Sequence, residues 1–247
     1  MSSSSAPHSQ HDNSSSQHTI EGVLFDMDGT LLDIDIDELI GAYFTALAPV
    51  IAPILDTDER TAMKVVEAGV KAMMTPHSGS NKEAFDARIE ELTGINLGDP
   101  ENERTIDAFY RDVFPTLRGN ARPIPGAETA IKTCQSLGLP IGIATQPIFP
   151  EGAIHARLDW AGLSDLSLDI VSTYENSLAT KPHPEYFLQM AQRIGVDPTK
   201  CVMVGDDSYL DMNAAKVGMM TFYVGTDANI DCTWRGTLED LVALITE

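Results

Sequence analysis

The segment VLFDMDGTLLD, residues 23–33, determines how the fold is interpreted. Its apolar residues 23–25 predict a buried strand, which ends at two carboxylates, Asp26 and Asp28, followed by Gly29. Side chains alternate along a strand, so both carboxylates leave it on the same side. Two such charges about 5 Å apart repel by about 3 kcal/mol at an effective dielectric constant of about 20. A shared proton, a basic side chain or a metal ion must therefore offset this repulsion.

Length and composition describe a globular chain with a strongly acidic surface. The 247 residues, 43% of them hydrophobic, suit one large domain or a core domain with a smaller insertion. The formal net charge of −21 repels nucleic acid and anionic membranes, so neither is expected as a partner. An anionic substrate would be repelled as well, so its site must create a local positive field. No stretch is apolar over the length of a bilayer, which predicts no membrane-spanning helix.

The N-terminus and the cysteines indicate where the protein acts. Residues 1–18, MSSSSAPHSQHDNSSSQH, offer almost nothing apolar to bury, which predicts a disordered tail without a signal peptide. Cys134, Cys201 and Cys232 form an odd, widely spaced set without a C-x-x-C pair. This spacing argues against a disulfide framework or a zinc site and favours reduced thiols in a cytoplasmic protein.

Two patterns of secondary structure divide the remaining chain. Residues 34–120 contain four successive helical patterns, over about 37–50, 58–74, 81–93 and 101–114, with Asp58 as a cap and Gly94 as a stop. From residue 121 onward, predicted strands within 139–145, 166–173, 200–206 and 219–225 alternate with helices over 127–137, 151–161, 184–194 and 209–217. A last helix begins after Thr237. The alternation predicts an α/β fold with a doubly wound parallel sheet. Residues 34–120 are then a helical insertion into a core of residues 19–33 and 121–247.

Polar side chains follow the predicted strands. In open α/β sheets ligands bind at the carboxyl ends of the strands, so these side chains should converge. They are Asp26 and Asp28, Thr145, Lys181, and an acidic cluster of Asp206, Asp207 and Asp211. A divalent cation, helped by the lysine, would offset the repulsion between the first two carboxylates.

Each of these residues also has a purely structural interpretation. Asp28 before Gly29 suits a turn, and Thr145 suits a strand because it is β-branched. Asp206 suits a helix N-terminus, and Lys181 suits a solvated surface. Their joint occurrence at successive strand ends nevertheless favours a functional site.

The ordered set resembles the four motifs of the haloacid dehalogenase-like hydrolase superfamily. DMDGT is similar to the first motif, Thr145 to the second, Lys181 to the third and GDDSYLD to the fourth. Residues 123–146 also resemble the segment before the second motif in phosphoglycolate phosphatase-like members, and the likeness covers nearly all of residues 20–225. The resemblance implies a Rossmann-like core, with residues 34–120 in the place of a mobile cap.

The resemblance further implies a Mg²⁺-dependent phosphatase that acts on a small phosphorylated metabolite. Asp26 would attack phosphorus to give an aspartyl phosphate, and Asp28 would act first as general acid and then as base. The phosphoryl group would be held by Thr145, Gln146, Lys181 and Gly29. The metal would be held by Asp26, the Asp28 backbone carbonyl, Asp206 and Asp207, with Asp211 as the alternative to Asp207. Gln146 departs from the Asn of many relatives, which leaves the role of its side chain open.

Four other functions share part of this pattern. A haloalkanoic acid dehalogenase needs neither the second acid nor the metal, so DMD argues against it. A sugar phosphomutase shares the aspartyl phosphate and the cap, and stays open. A phosphorylation-dependent signalling receiver also gathers Asp, Thr and Lys, but there the acidic pair comes first in the chain. A catalytically inactive binding protein fits less well, because no expected catalytic residue is missing.

Overall fold

One sheet of six strands forms the core of the protein. The computed structural model describes residues 19–247, so the tail predicted for residues 1–18 lies outside the described residues. The strand order is β5-β4-β1-β6-β7-β8, and all neighbouring strands are parallel. The strands are β1 (Gly22–Phe25), β4 (Ile141–Ile143), β5 (Ile170–Val171), β6 (Cys201–Gly205), β7 (Met220–Tyr223) and β8 (Trp234–Arg235). The order reverses beside β1, which confirms the predicted doubly wound α/β class.

Apolar layers cover both faces of the sheet. Four helices cover the sheet: α5 (Ala127–Ser136), α6 (Glu151–Trp160), α7 (Pro184–Arg193) and α8 (Leu238–Thr246). Val23 and Phe25 of β1 lie in the larger core cluster, with residues of α5, α6 and α8, whereas Leu24 lies in the smaller cluster with residues of α7. This double burial explains why the apolar residues of β1 are continuous rather than alternating.

Four helices lie between β2 (Leu32–Asp33) and β3 (Arg122–Pro123), as predicted for this part of the chain. They are α1 (Ile36–Ile54), α2 (Glu59–Met73), α3 (Asn81–Thr93) and α4 (Pro100–Ala108), and we refer to them with their connections as the helical insertion. A π-helical turn, Phe109–Val113, and a 3₁₀ turn, Phe114–Arg118, complete it. Because β2 and β3 pair antiparallel, the two chain segments that join the insertion to the core run side by side.

Helix ends follow several of the sequence signals. Asp58 accepts a hydrogen bond from the N–H of Thr61 at the start of α2, and Thr237 caps α8 within a capping box. Gly94 ends α3 with φ of 74°, a left-handed conformation that costs glycine little.

The helix α1 corrects the expectation about membrane spans. It has 19 residues and a mean hydropathy of 1.3, so its length and composition alone would allow it to cross a bilayer. This is weak evidence for a membrane, because core helices pass the same test. Leu39, Leu47 and Ile51 of α1 are buried in the larger core cluster, and Pro49 and Pro53 lie within the helix.

Three further elements differ from the sequence prediction. The helical pattern over 101–114 is α-helical only over Pro100–Ala108 and continues as the π-helical turn Phe109–Val113. The helix predicted over 209–217 is wrong: a turn is followed by a 3₁₀ helix, Met212–Val217. Asp207 binds the backbone N–H groups of Tyr209 and Leu210, and such local bonds compete with an α-helix. The strand predicted within 166–173 is reduced to Ile170–Val171.

Candidate active site

The carboxyl ends of β1, β4 and β6 bring the predicted residues to one edge of the sheet. Phe25 lies in register with both Ile143 and Val204, so the three strands end level with one another. A pocket of about 400 Å³ opens there, between the core and the start of the helical insertion. Its walls include all the candidate residues: Asp26, Asp28, Gly29, Thr145, Gln146, Lys181, Asp206, Asp207 and Asp211.

Lys181 is buried between two carboxylates. Its Nζ donates to Asp26 Oδ1 at 2.5 Å and to Asp211 Oδ1 at 2.7 Å, and the side chain is 2% exposed. Burial alone would lower the pKa of Lys181, but Asp211 and Asp26 outweigh burial and raise it. The ammonium group therefore stays charged and fixes the position of Asp26.

Three carboxylates lie close enough together to share one cation. One oxygen each of Asp26, Asp206 and Asp211 lies within 4.8 Å of the other two. Burial raises the pKa of Asp206 to about 6, and Asp26 adds to this rise, while the hydroxyl of Thr30 opposes it. A set of hard oxygen atoms under mutual repulsion fits Mg²⁺, which binds carboxylate oxygens in preference to nitrogen or sulfur.

Two glycines make room for two of these carboxylates. A side chain at Gly29, where φ is +81°, would collide with the carboxylate of Asp206. A side chain at Gly205 would collide in the same way with Asp211. The N–H of Gly29, a position expected to bind phosphate, donates instead to the carbonyl of Leu32 at 2.8 Å. Close approach of the backbone is therefore the role that the structure gives to both glycines.

Asp207 lies apart from the three clustered carboxylates, although sequence reasoning placed it at the metal. Its side chain is exposed, and its Oδ1 accepts hydrogen bonds from the N–H groups of Tyr209 and Leu210, both at 2.7 Å. Its own N–H donates to Asp211 Oδ2 at 3.0 Å. Asp207 thus shapes the turn that carries the fully buried Asp211 into the site.

Gln146 holds the backbone of Lys181. Its Oε1 accepts from the Lys181 N–H at 2.9 Å, and its Nε2 donates to the Lys181 carbonyl at 3.0 Å. Both polar atoms of the side-chain amide are therefore hydrogen-bonded. The sequence left the role of Gln146 open, and the structure shows that its side chain, longer than that of Asn, links the second motif to the third.

Thr145 is fixed through its own backbone by two residues that the sequence did not indicate. Its carbonyl oxygen accepts from the hydroxyls of Ser172 at 3.0 Å and Tyr186 at 2.8 Å, and all three residues are buried. A rigid carbonyl holds the Thr145 side chain at the pocket wall.

Arg157, on α6, is the main site residue that sequence reasoning missed. Its Nη1 donates to Asp28 Oδ2, its guanidinium lies 4.8 Å from the ring centroid of Phe149, and the side chain is 1% exposed. Its Nε and Nη2 are buried without a hydrogen-bond partner among the described residues. The signal was a charged residue on the apolar face of a helix, where arginine is rarely found unpaired.

Each aspartate of the opening motif therefore has its own basic partner, Lys181 for Asp26 and Arg157 for Asp28. Burial raises the pKa of Asp28, Arg157 lowers it in turn, and Asp26 raises it. Apart from the exposed Asp207, the site contains four carboxylates, Asp26, Asp28, Asp206 and Asp211, and two cationic side chains. With all four ionised, the excess of two negative charges is what one divalent cation would neutralise, so the residues present fit Mg²⁺.

Known proteins resemble this chain in sequence and in fold. A phosphoglycolate phosphatase of Xylella fastidiosa is 32% identical over 199 residues, which cover 80% of this chain and 76% of that protein. An N-acetylmuramic acid 6-phosphate phosphatase of Pseudomonas aeruginosa is 29% identical over 192 residues, covering 76% and 74% of the two chains. The crystal structure of a HAD phosphatase from Thermococcus onnurineus shares the fold, with a TM-score of 0.57 at 22% identity over 92% of this chain and 98% of that chain.

The sequence profile of one family matches most of the chain. Residues 20–218 match the profile of the haloacid dehalogenase-like hydrolases, and this range contains all four motifs and the helical insertion. The family predicted from the motifs is thereby confirmed, and the chain is a member of the haloacid dehalogenase-like hydrolases.

Proposed function

We propose that the protein is a Mg²⁺-dependent phosphatase that hydrolyses a small phosphorylated metabolite through an aspartyl phosphate on Asp26. The observation that carries the proposal is the position of Asp26. Its Oδ1 is held by the buried ammonium of Lys181, beside the carboxylates of Asp206 and Asp211. The phosphatases named above support the same substrate class.

The first half of the reaction would form the phosphoenzyme. Lys181 binds Oδ1 of Asp26, so Oδ2 is the oxygen that we assign to attack phosphorus. A bond forms between Oδ2 and phosphorus as the ester P–O bond breaks, and protonated Asp28 gives its proton to the leaving alkoxide. Thr145 and Lys181, at the pocket wall, would bind the phosphoryl oxygens.

The second half would release phosphate. Asp28, now ionised and paired with Arg157, takes a proton from the attacking water, and the bond between phosphorus and Asp26 breaks. Arg157 keeps the Asp28 carboxylate directed toward the site in both halves. Asp26, Asp206 and Asp211, with the Asp28 carbonyl, would hold Mg²⁺, which when bound would neutralise charge on the phosphoryl oxygens.

The helical insertion would act as a mobile cap over this pocket. Ile34, Ile36 and Ile40, at its beginning, form part of the pocket wall, and the paired segments β2 and β3 are its connection to the core. Closure would exclude water while the phosphoenzyme forms. We place the enzyme in the cytoplasm, where the buried free thiols of Cys134 and Cys201 would stay reduced.

Asp26→Asn tests the proposed function. An amide is a poor nucleophile, so turnover of acetyl phosphate with Mg²⁺ should fall to background, while the near-isosteric change should leave the fold intact by circular dichroism. Asp207→Asn, which keeps the oxygen that caps the turn, is the matched control and should stay active. Trapped ³²P-phosphoenzyme should appear in the wild type and be absent from Asp26→Asn. Substantial metal-dependent hydrolysis by folded Asp26→Asn would refute the assignment, and formation of an isomerised sugar phosphate instead of free phosphate would indicate a phosphomutase.

A further inference from the structure

A second cavity, of about 270 Å³, lies next to the aspartate pocket. It is enclosed between the helical insertion and the core loops that follow β4 and β5. Three residues, Ile40, Ile148 and Phe149, line both cavities, so the two spaces are neighbours. A cavity of about 150 Å³ can hold benzene, so this one is large enough for a six-carbon group.

The walls of this cavity are mostly aromatic and aliphatic. Six aromatic residues face it: Tyr43, Phe44, Phe85, Tyr110, Phe149 and Tyr174. The hydroxyls of Tyr43 and Tyr110 bind each other at 2.6 Å, so at least one donor is already used within the wall. A polyhydroxylated group placed here would lose hydrogen bonds to water and find few replacements, which costs free energy for each unpaired hydroxyl.

The charged groups at this cavity are mostly negative. Asp86, Glu103, Asp107 and Glu175 line it, and the one lysine among its walls, Lys82, is already paired with Asp86 at 2.5 Å. Burial raises the pKa of Tyr174, and the neighbouring carboxylates of Glu175, Asp86 and Asp107 raise it further. A second anionic group on a substrate would be repelled here.

We propose that this aromatic cavity receives the leaving group of the substrate, and that this group is an apolar alcohol without a negative charge. The inference rests on the proposed phosphatase function, because the neighbouring pocket must hold the phosphoryl group. Burial of apolar surface then favours binding by about fourfold for each CH₂ group removed from water. The substrate class is thus a phosphate monoester with a hydrophobic body, distinct from polyol phosphates and from phosphorylated carboxylic acids.

A matched series of six-carbon esters tests the proposal. The series comprises n-hexyl phosphate, 6-aminohexyl phosphate, the phosphate ester of 6-hydroxyhexanoate, and sorbitol 6-phosphate, with acetyl phosphate as a small reference. We expect kcat/KM for hexyl phosphate to exceed that for sorbitol 6-phosphate and for the carboxylate ester by about 10-fold or more each. The aminohexyl ester should be hydrolysed faster than the carboxylate ester.

The outcomes separate the two proposals. Failure to hydrolyse acetyl phosphate and every ester of the series with Mg²⁺ would overturn the proposed function and this inference with it. Mg²⁺-dependent hydrolysis combined with a preference for sorbitol 6-phosphate or for the carboxylate ester over n-hexyl phosphate would overturn the inference alone.

Two pairs of variants assign any selectivity to the cavity. Val70→Phe places a ring at a wall position on α2, and should lower the ratio of hexyl to acetyl phosphate hydrolysis about 10-fold. Lys71→Phe adds the same ring at the exposed neighbouring position and should leave the ratio unchanged. Thermal unfolding shows whether each variant is folded. An equal ratio in Val70→Phe and the wild type would overturn the assignment.

The second pair tests the charge of the walls. Asp107→Asn removes one carboxylate of the cavity, and should raise the relative rate for the carboxylate ester about threefold. Glu101→Gln removes an exposed charge from the same helix outside the cavity and should have no such effect. Equal changes in the two variants would mean that the net charge of the whole protein selects against anions, which would overturn the role given to these walls.

Discussion

At the scale of single residues, the buried ion pair of Arg157 and Asp28 fixes the position of the second aspartate. A buried cation with only one hydrogen bond is costly, and it stays in place because the carboxylate of Asp28 and the ring of Phe149 accompany it. Arg157, which holds Asp28, lies outside the four motifs. The acid and base roles that we propose for Asp28 would therefore depend on a residue of α6.

Replacing Arg157 should affect poor leaving groups most. An alkyl alkoxide needs a proton as its bond breaks, whereas p-nitrophenolate leaves as a stable anion. Loss of general acid catalysis costs about 10²–10⁴-fold, so Arg157→Met should slow phosphoenzyme formation about 100-fold with n-hexyl phosphate and less than about 10-fold with p-nitrophenyl phosphate. Rapid-mixing kinetics measure both rates, and Arg157→Lys should restore part of the lost rate. An equal decrease for the two substrates would show that Arg157 only supports the fold.

Asp206 should destabilise the metal-free protein at neutral pH. Its folded-state pKa of about 6 lies above the ordinary value of 3.8, so the folded state binds this proton more tightly than the unfolded chain. The contribution of this group is therefore favourable at low pH and is lost as the pH rises toward about 6. Removing the charge with Asp206→Asn should raise metal-free stability at about pH 7.5 by about 1–2 kcal/mol, or about 2–8 °C in Tm.

The same variant should lose its response to Mg²⁺. In the wild type, a ligand at about 100 times its Kd adds about 2.7 kcal/mol, and this gain should shrink as the pH falls through about 6, because protons compete for Asp206. Differential scanning calorimetry with and without Mg²⁺ measures both effects, with Asp207→Asn as the control. A full Mg²⁺ response in Asp206→Asn would contradict the metal site.

The sequence identified these residues by type and order, but it did not define their contacts. Asp26, Asp206 and Lys181 follow strands, and strand ends are predictable from apolar runs. The sequence could not show whether Asp207 or Asp211 lies with the other site carboxylates. That depends on a turn, formed where a helix was predicted, in which the side chain of Asp207 binds backbone N–H groups. The charge of Arg157 on the apolar face of α6 is a signal in the sequence, but its partner cannot be identified until the structure shows that this face packs toward Asp28.

At the scale of elements, the start of α3 is fastened to the loops of the active site. Asn81 is fully buried, and its Nδ2 donates to the carbonyls of Pro147 at 2.8 Å and Ala179 at 3.2 Å. The backbone N–H of Asn81 donates to the carbonyl of Ser177 at 2.8 Å, and the backbone N–H of Lys82 donates to the carbonyl of Tyr174, also at 2.8 Å. Pro147 follows the second motif and Ala179 precedes the third, so the insertion contacts the segments that hold Thr145 and Lys181, which we propose to bind the phosphoryl group.

Asn81→Ala should loosen this connection. The loss leaves two buried carbonyls without their donor, at a cost of about 1–3 kcal/mol. Hydrogen exchange of amides in residues 81–93 should become faster, by about 5-fold or more, while exchange in α7 should not change. Asn102→Ala, which removes a side-chain bond within the insertion to the carbonyl of Asn96, is the matched control. Unchanged exchange in α3 of Asn81→Ala would mean that its apolar contacts alone hold the insertion closed.

Elements whose apolar residues recur at regular spacing were predictable from the sequence, whereas elements whose ends depend on side-chain hydrogen bonds were not. The helix α3 lies where its apolar spacing and Gly94 predicted it. The short strands β2, β3 and β8 have only two residues each, too few for an alternating pattern. β5 begins only at Ile170, later than the predicted residue 166. Just before it, the side chain of Asp169, rather than a strand carbonyl, accepts the hydrogen bond from the N–H of Ile141.

At the scale of the whole molecule, the fold places two positively charged side chains inside a strongly negative surface. The parallel sheet was predictable, because strands alternating with helices allow few other arrangements. The position of the insertion over the pocket was not, since it depends on contacts such as those of Asn81. With Mg²⁺ bound and all four site carboxylates ionised, their charges, Lys181 and Arg157 would be balanced. The net charge of −21 would become −19, and this charge would dominate at a distance.

This balance predicts that salt will favour capture of the substrate. A phosphate ester approaching from solution meets the long-range negative potential before it reaches Lys181, and salt screens this repulsion over about 10 Å at 0.1 M. At saturating Mg²⁺, kcat/KM for acetyl phosphate should rise about two- to fivefold between about 10 and about 150 mM KCl, and kcat should stay constant. Sucrose at equal osmolality is the control, because it does not screen charges, and it should not raise kcat/KM. A fall in kcat/KM with KCl would mean that the local field of Lys181, Arg157 and the metal already dominates outside the pocket, so that attraction and not repulsion governs the encounter.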